Sequence, residues 1–121
     1  MPEQPRPDPR MPDNVQERLH ELSRRLRDAD HLQPDAQSEL ADLMDELANT
    51  LNPATLRSTD AAHLAESTAH LAQVLNRPQE RGLLAAAKRR LEDSILRAES
   101  EVPLASSLAR NFLDILANLG I

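Results

Sequence analysis

The sequence predicts an all-α fold, either an antiparallel helical bundle or two helical hairpins, with four to five helices. Three observations support this prediction. Leucine and alanine supply 21 and 17 of the 121 residues, and both favour helices. Phe112 is the only aromatic residue, so the residue types typical of strands are scarce. Apolar residues also recur three or four positions apart in several segments, which is the period of an amphipathic helix.

The first twelve residues differ in composition from the rest. They contain five prolines among charged residues, a composition that buries little apolar surface and predicts a disordered tail over 1–12. Residues 13–121 are expected to form a single helical domain, because their number suits one core. The Met11-Pro12 pair repeats the Met1-Pro2 start, which leaves two candidate positions for the start of translation.

Two helices are predicted in the first half of the domain. The first spans residues 14–31 with Asp13 as its N-cap, and its apolar stripe comprises Val15, Leu19, Leu22, Leu26 and Ala29. The second spans residues 34–51, starting at Pro34, where the missing N–H of proline costs nothing. The short break between them predicts an antiparallel hairpin.

A third helix is predicted over residues 60–76, on weaker grounds than the first two. Thr68 interrupts its apolar stripe, and alanine fills much of the remainder. The sequence therefore leaves open whether residues 53–79 contain a full helix.

The last two helices are predicted to form a second hairpin. The fourth spans residues 78–100, although Gly82 lowers the helix propensity of its first turns. The fifth begins at Pro103 and ends before Gly120, the residue type favoured just beyond a helix end.

The order of several segments resembles one family. The segments are VQERLHELSRRL, the acidic QPDAQSELADLMDELANTL, the charged LAAAKRRLEDSILRAES, and a Pro-started helix ending in LANLGI. They resemble the small bacterial family catalogued as domain of unknown function 4404, over residues 11–52 and 80–121. The stretch HLAESTAHLAQVLNR, within residues 53–79, departs from the family pattern. The resemblance implies a bacterial helical protein and brings with it no activity, cofactor or catalytic residue.

The negative charge is concentrated on one predicted helix. The net charge is −6, and residues 34–52 carry five acidic side chains and no basic one: Asp35, Glu39, Asp42, Asp45 and Glu46. An acidic chain of this kind disfavours nucleic-acid binding, which needs a basic face. The acidic second helix is either an ordinary solvated face or the docking site of an adaptor for a basic partner.

Several classes of function are disfavoured by what the sequence lacks. There is no cysteine for a disulfide, a thiolate nucleophile or a metal site, and no glycine-rich phosphate loop. No apolar run reaches the roughly 20 residues that span a bilayer, and the N-terminus lacks the apolar core of a secretory signal. We therefore expect a non-enzymatic cytoplasmic protein with no cofactor and no membrane association.

The strongest metal-binding candidates are His63, Glu66 and His70. Their spacing of three and four residues places them on one helix face, and imidazole with carboxylate suits zinc. That face lies opposite the apolar stripe, whereas metal centres in helical bundles point inward. The sequence thus favours no dedicated metal site, and a metal-binding bundle remains an alternative only.

The last helix has the widest apolar face of the chain. Its central residues are Leu108, Phe112, Ile115, Leu116 and Leu119, and a face this wide needs more than one packing partner. We expect it to form the seam of a homodimer or higher oligomer, so that the protein is a helical interaction or oligomerisation module. The alternative is that this helix lies at the centre of a monomeric bundle.

Overall fold

The computed structural model describes residues 15–29, 32–75 and 81–121. Within these ranges the chain forms five α-helices, a short 3-10 turn and no strand, which confirms the all-α prediction. The helices are α1 (Val15–Arg27), α2 (Pro34–Thr50), α3 (Thr59–Leu75), α4 (Arg81–Ala98) and α5 (Pro103–Asn118), with the 3-10 turn at Thr55–Arg57. The predicted tail over 1–12 and the Asp13 cap lie outside the described residues.

The five helices surround one core, although not in chain order. α1 packs on α2, α2 on α5, α5 on α4, α4 on α3, and α3 returns to α1. The α4–α5 pairing agrees with the predicted second hairpin, but α4 packs more extensively on α3 than on α5. The last helix therefore closes the bundle between α2 and α4.

Hydrogen bonds between neighbouring helices show that they run antiparallel. Between α1 and α2, Ser23 Oγ donates to the Ala41 carbonyl over 3.0 Å, and Gln16 Nε2 donates to the Ala48 carbonyl over 2.7 Å. The residue number falls along one helix as it rises along the other, which confirms the first predicted hairpin.

Helix α3 is built largely from small residues. Its buried set contains four alanines, Ser67 and Thr68 beside the larger Leu64, Leu71, Val74 and Leu75. Ser58 caps its start, because the Ala61 N–H lies 3.4 Å from the Ser58 Oγ. The sequence did not settle whether this helix forms, because small and hydroxyl residues give a weak apolar stripe. In the structure those residues are buried where α3 packs on α4 and α1.

Two buried hydrogen bonds satisfy the hydroxyl groups that α3 places in the core. Thr68 donates to the Leu64 carbonyl over 2.8 Å, and the hydroxyls of Ser67 and Ser94 share a hydrogen bond of 2.7 Å between α3 and α4. A buried polar group costs little once it is hydrogen-bonded.

The chain's LGI ending has a specific structural role. The N–H of Ile121 donates to the Leu116 carbonyl over 3.0 Å, and that of Gly120 donates to the Ala117 carbonyl over 3.1 Å. This is the hydrogen-bond pattern of a Schellman motif, which needs a residue with positive φ. Gly120 supplies it with φ +77, and Ile121 packs against the core.

The core contains leucine from every helix, alanine from α2 to α5, and Phe112. Phe112 is 1 % exposed and is the largest fully buried side chain in the described part of the chain. In that same part, none of the helices has the combination of length and apolarity that a membrane crossing requires.

Candidate functional site

The acidic residues predicted on the second helix do lie on α2, and most of them face outward. Asp35, Glu39, Asp42 and Glu46 are exposed, and Asp45 is half-buried. Glu39, Asp42, Leu43 and Glu46 are three or four residues apart or adjacent, so they share one face of the helix. The side of α2 that packs into the core includes Leu40, Met44 and Leu47.

This face of α2 forms a groove with α5, which we call the acidic groove. Its volume is about 380 Å³, and its lining residues are Glu39, Asp42, Leu43, Glu46, Asn111, Asp114 and Ile115. Leu43 and Ile115 are half-buried and supply the apolar surface. Among these lining residues there are four carboxylates and no basic side chain.

One arginine of α1 already occupies the edge of this acidic face. The Nη2 atom of Arg27 donates to Asp42 over 2.8 Å and to Asp45 over 3.3 Å. Hydrogen bonds to Asp42 and to Asp45 raise the pKa of Arg27 above its usual value. Within the described residues, Glu39, Glu46 and Asp114 have no such ion pair.

Asp45 lies at the centre of this charged network. His20 Nδ1 lies 2.8 Å from its Oδ1, and Arg27 reaches its other oxygen. Partial burial acts to raise the pKa of Asp45, but the side-chain interactions around it, the largest of them the hydrogen bond with His20, outweigh it, and the pKa lies below its usual value. Asp45 is thus an ionised acceptor between α1 and α2, whereas the free carboxylates lie farther out.

The five residues predicted to form an oligomer seam are divided between core and surface. Leu108, Phe112 and Leu116 are buried in the protein's own core, while Ile115 and Leu119 are half-buried. The two partners that the wide apolar face requires are α2 and α4 of the same chain. The centre of this face thus packs inside the bundle, and the predicted oligomerisation stays a prediction.

A second groove lies between α4 and α5, and we call it the mixed groove. Its volume is about 400 Å³, and its lining residues are Lys88, Glu92, Ile95, Leu96, Arg110, Leu113, Asp114 and Ala117. It carries two basic and two acidic side chains around an apolar strip. Asp114 lines both grooves, so it lies on the ridge between them.

The three candidate metal ligands of α3 belong to no group of converging ligands among the described residues. His63 and Glu66 are exposed and His70 is half-buried, and Glu66 forms an ion pair with Arg18 of α1. Within the described residues, no group of three His, Cys, Asp or Glu side chains is placed to hold a metal ion. Their spacing places these side chains on one face of α3, but among the described residues no other helix adds a ligand to form a group of three.

No family model, no curated protein and no solved structure matches this chain. The resemblance to domain of unknown function 4404 therefore stays a prediction.

Sequence reasoning identified the acidic residues of the groove but missed its other wall. Nothing in the sequence states that α5 lies beside α2, and Asn111, Asp114 and Ile115 line the groove only because it does. One signal was available: Asp114 and Ile115 flank the buried stripe of α5, so they had to lie at the border of whichever helix packed there.

Proposed function

We propose that this protein is a non-enzymatic helical interaction module that binds a basic, amphipathic segment of a partner protein in the acidic groove. The observation that carries the proposal is the lining of that groove, in which four carboxylates surround Leu43 and Ile115 without a basic residue among the described lining side chains. The bacterial origin and cytoplasmic location predicted from the sequence belong to the same proposal.

The geometry favours a helical partner segment. A groove between two helices accepts an amphipathic helix whose apolar side chains lie at its centre. Leu43 and Ile115 offer half-buried apolar surface for those side chains. Lysine or arginine residues on the flanks of the same helix would then reach Glu39 and Glu46 on the α2 side and Asp114 on the α5 side.

The contacts of Arg27 support recognition of a guanidinium by this face. A single nitrogen of Arg27 is shared between Asp42 and Asp45, so the spacing of carboxylates along α2 already suits one arginine. Charge-assisted hydrogen bonds of this type are stronger than neutral ones. The three carboxylates outside that network are available to a partner.

The test is a binding titration of the full chain with a labelled synthetic peptide. The peptide is an amphipathic helix with arginines on one face and leucines on the other, and the control peptide carries glutamates in place of the arginines. We expect the arginine peptide to bind with an affinity that falls as salt increases, because exposed charges are screened. The glutamate peptide is expected not to bind. Equal binding of both peptides, or binding of neither, would contradict the proposal.

A further inference from the structure

We propose that the mixed groove between α4 and α5 is the site where a second copy of this chain docks. The proposal does not depend on the acidic groove, since it rests on a different apolar strip and on a balance of four charges, of which only Asp114 is shared. It also relocates self-association from the centre of the α5 apolar face, which the core occupies, to the outer surface that α5 shares with α4.

The first argument concerns exposed leucines. Among the described residues, three large hydrophobic side chains are strongly exposed: Leu83, Leu96 and Leu104. Leu96 is the most exposed at 67 % and lines the mixed groove, whereas Leu83 and Leu104 line neither of the two grooves described above. Leu96 lies beside Ile95 and Leu113 in the mixed groove, so the exposed side chain continues an apolar strip that a partner would cover.

The second argument concerns charge. The lining of the mixed groove balances Lys88 and Arg110 against Glu92 and Asp114. A two-fold axis brings the same surface of both copies together, so a self-complementary patch must carry both signs. The acidic groove carries one sign, and two copies would repel each other there.

The third argument concerns the rest of the surface. The chain has a net charge of −6, so approach of two copies is opposed by repulsion over most orientations. Contact through a patch whose own charges sum to zero reduces that repulsion. The mixed groove has both balanced charges and exposed apolar surface, whereas the charges of the acidic groove are not balanced.

Two charged side chains of the mixed groove already contact other residues of the same chain. Lys88 Nζ donates to the Ile121 carbonyl over 2.7 Å at one end. At the other end Arg110 forms an ion pair with Glu99. These contacts link the two walls of the groove at both ends.

The experiment is a measurement of molar mass across a concentration series, by sedimentation equilibrium, on the full chain and on two matched variants. Leu96→Asp places a charge in the mixed groove, while Leu104→Asp makes the same change at a site that is 63 % exposed and does not line the groove. Circular dichroism of each variant shows whether the fold is kept.

We expect the unmodified chain and Leu104→Asp to rise from 13.5 kDa towards twice that mass with concentration. Leu96→Asp is expected to remain monomeric over the same series. A wild-type mass that stays at 13.5 kDa, or an equal loss of self-association in both variants, would overturn the proposal.

A second measurement keeps the proposal testable if Leu96→Asp fails to fold. The chain contains no cysteine, so Leu96→Cys and Leu104→Cys each introduce a single site for a spin label. A dimer through the mixed groove gives a shorter intermolecular distance from position 96 than from position 104. A shorter intermolecular distance from position 104 than from position 96, or no intermolecular signal from either position, would contradict the proposed dimer.

Discussion

Arg27 of α1 and Asp42 of α2 form an ion pair across the first hairpin, with Nη2 and Oδ1 2.8 Å apart. The same nitrogen lies 3.3 Å from Asp45. An arginine of the chain thus occupies part of the acidic face on which we propose that a partner's basic residues bind. This makes Arg27 an internal competitor as well as a link between two helices.

Removing this competitor is expected to strengthen binding of a basic peptide. Arg27→Met leaves the carboxylates of Asp42 and Asp45 without their arginine, and we expect the affinity for the arginine peptide to rise about threefold, a change of the size typical for exposed ion pairs. The control is Arg97→Met, which makes the same charge change on the exposed surface of α4. Fluorescence anisotropy measures both, and an equal gain in the two variants would show only an effect of net charge.

Asp45 is expected to make stability depend on acid pH. Its folded-state pKa is lowered, so its ionised form stabilises the folded chain above the ordinary Asp pKa of about 3.9. This contribution is lost as the pH falls through the lowered value.

Asp45→Asn should therefore be less stable than the unmodified chain above about pH 5. The difference should be no more than about 1 kcal/mol, because the contacts of Asp45 with His20 and Arg27 are partly exposed. The difference should shrink as the solution is acidified. Urea denaturation at several pH values measures it, with Asp93→Asn as a control that loses little at any pH. If the difference in unfolding free energy between Asp45→Asn and the unmodified chain stays constant down to strongly acid pH, the pKa of Asp45 is not lowered in the folded protein.

Phe112 should behave as a core residue and not as an interface residue. Phe112→Ala removes the largest fully buried side chain, and the cavity should lower the free energy of unfolding by about 3–5 kcal/mol. Leu104→Ala, on the same helix but exposed, should change it by no more than about 0.5 kcal/mol. Thermal or urea denaturation compares them, and similar stabilities would place Phe112 outside the core.

The Ser67–Ser94 hydrogen bond should be visible as a coupling between α3 and α4. Either serine changed to alanine leaves the other hydroxyl buried without its partner, at a cost of about 1–3 kcal/mol. The double variant loses both hydroxyls together and should be destabilised by less than the sum of the single changes. A double-mutant cycle of unfolding free energies measures this, and strict additivity would mean that the two hydroxyls are not partners.

Asp114 connects the two proposed binding surfaces because it lines both grooves. Asp114→Asn is expected to weaken both binding of the arginine peptide and self-association. Glu46→Gln, which changes the acidic groove alone, is expected to weaken only the peptide. Fluorescence anisotropy measures peptide binding and sedimentation equilibrium measures self-association for both variants. A loss of self-association in Glu46→Gln would show that the two grooves are not separate binding surfaces.

The sequence predicted α1, α2, α4 and α5 and left α3 open, because helix determinants are local and those of α3 are weak. Pro34 and Pro103 begin α2 and α5 as expected, and Gly120 ends α5 in a Schellman motif. Helix α1 ends at Arg27 and not at 31, since the Ala29 N–H donates to Leu26 in a tightened last turn.

The arrangement of the helices could not be predicted in the same way. The width of the α5 apolar face correctly indicated two packing partners, but both of them are helices of the same chain. Which helices are neighbours depends on how the apolar side chains of all five helices fit into one core, and short-range sequence patterns do not contain that information. The grooves, which depend on those neighbours, were therefore not predicted.

The most direct test of the central claim reverses one charge in the acidic groove and one outside it. Glu46→Lys lies in the groove, and Asp93→Lys makes the same change on the exposed surface of α4. Titration of both with the arginine peptide should show affinity reduced about tenfold for Glu46→Lys, equivalent to about 1.4 kcal/mol, and nearly unchanged for Asp93→Lys. Equal losses in the two variants would contradict the account, because attraction would then follow the overall charge and not the groove.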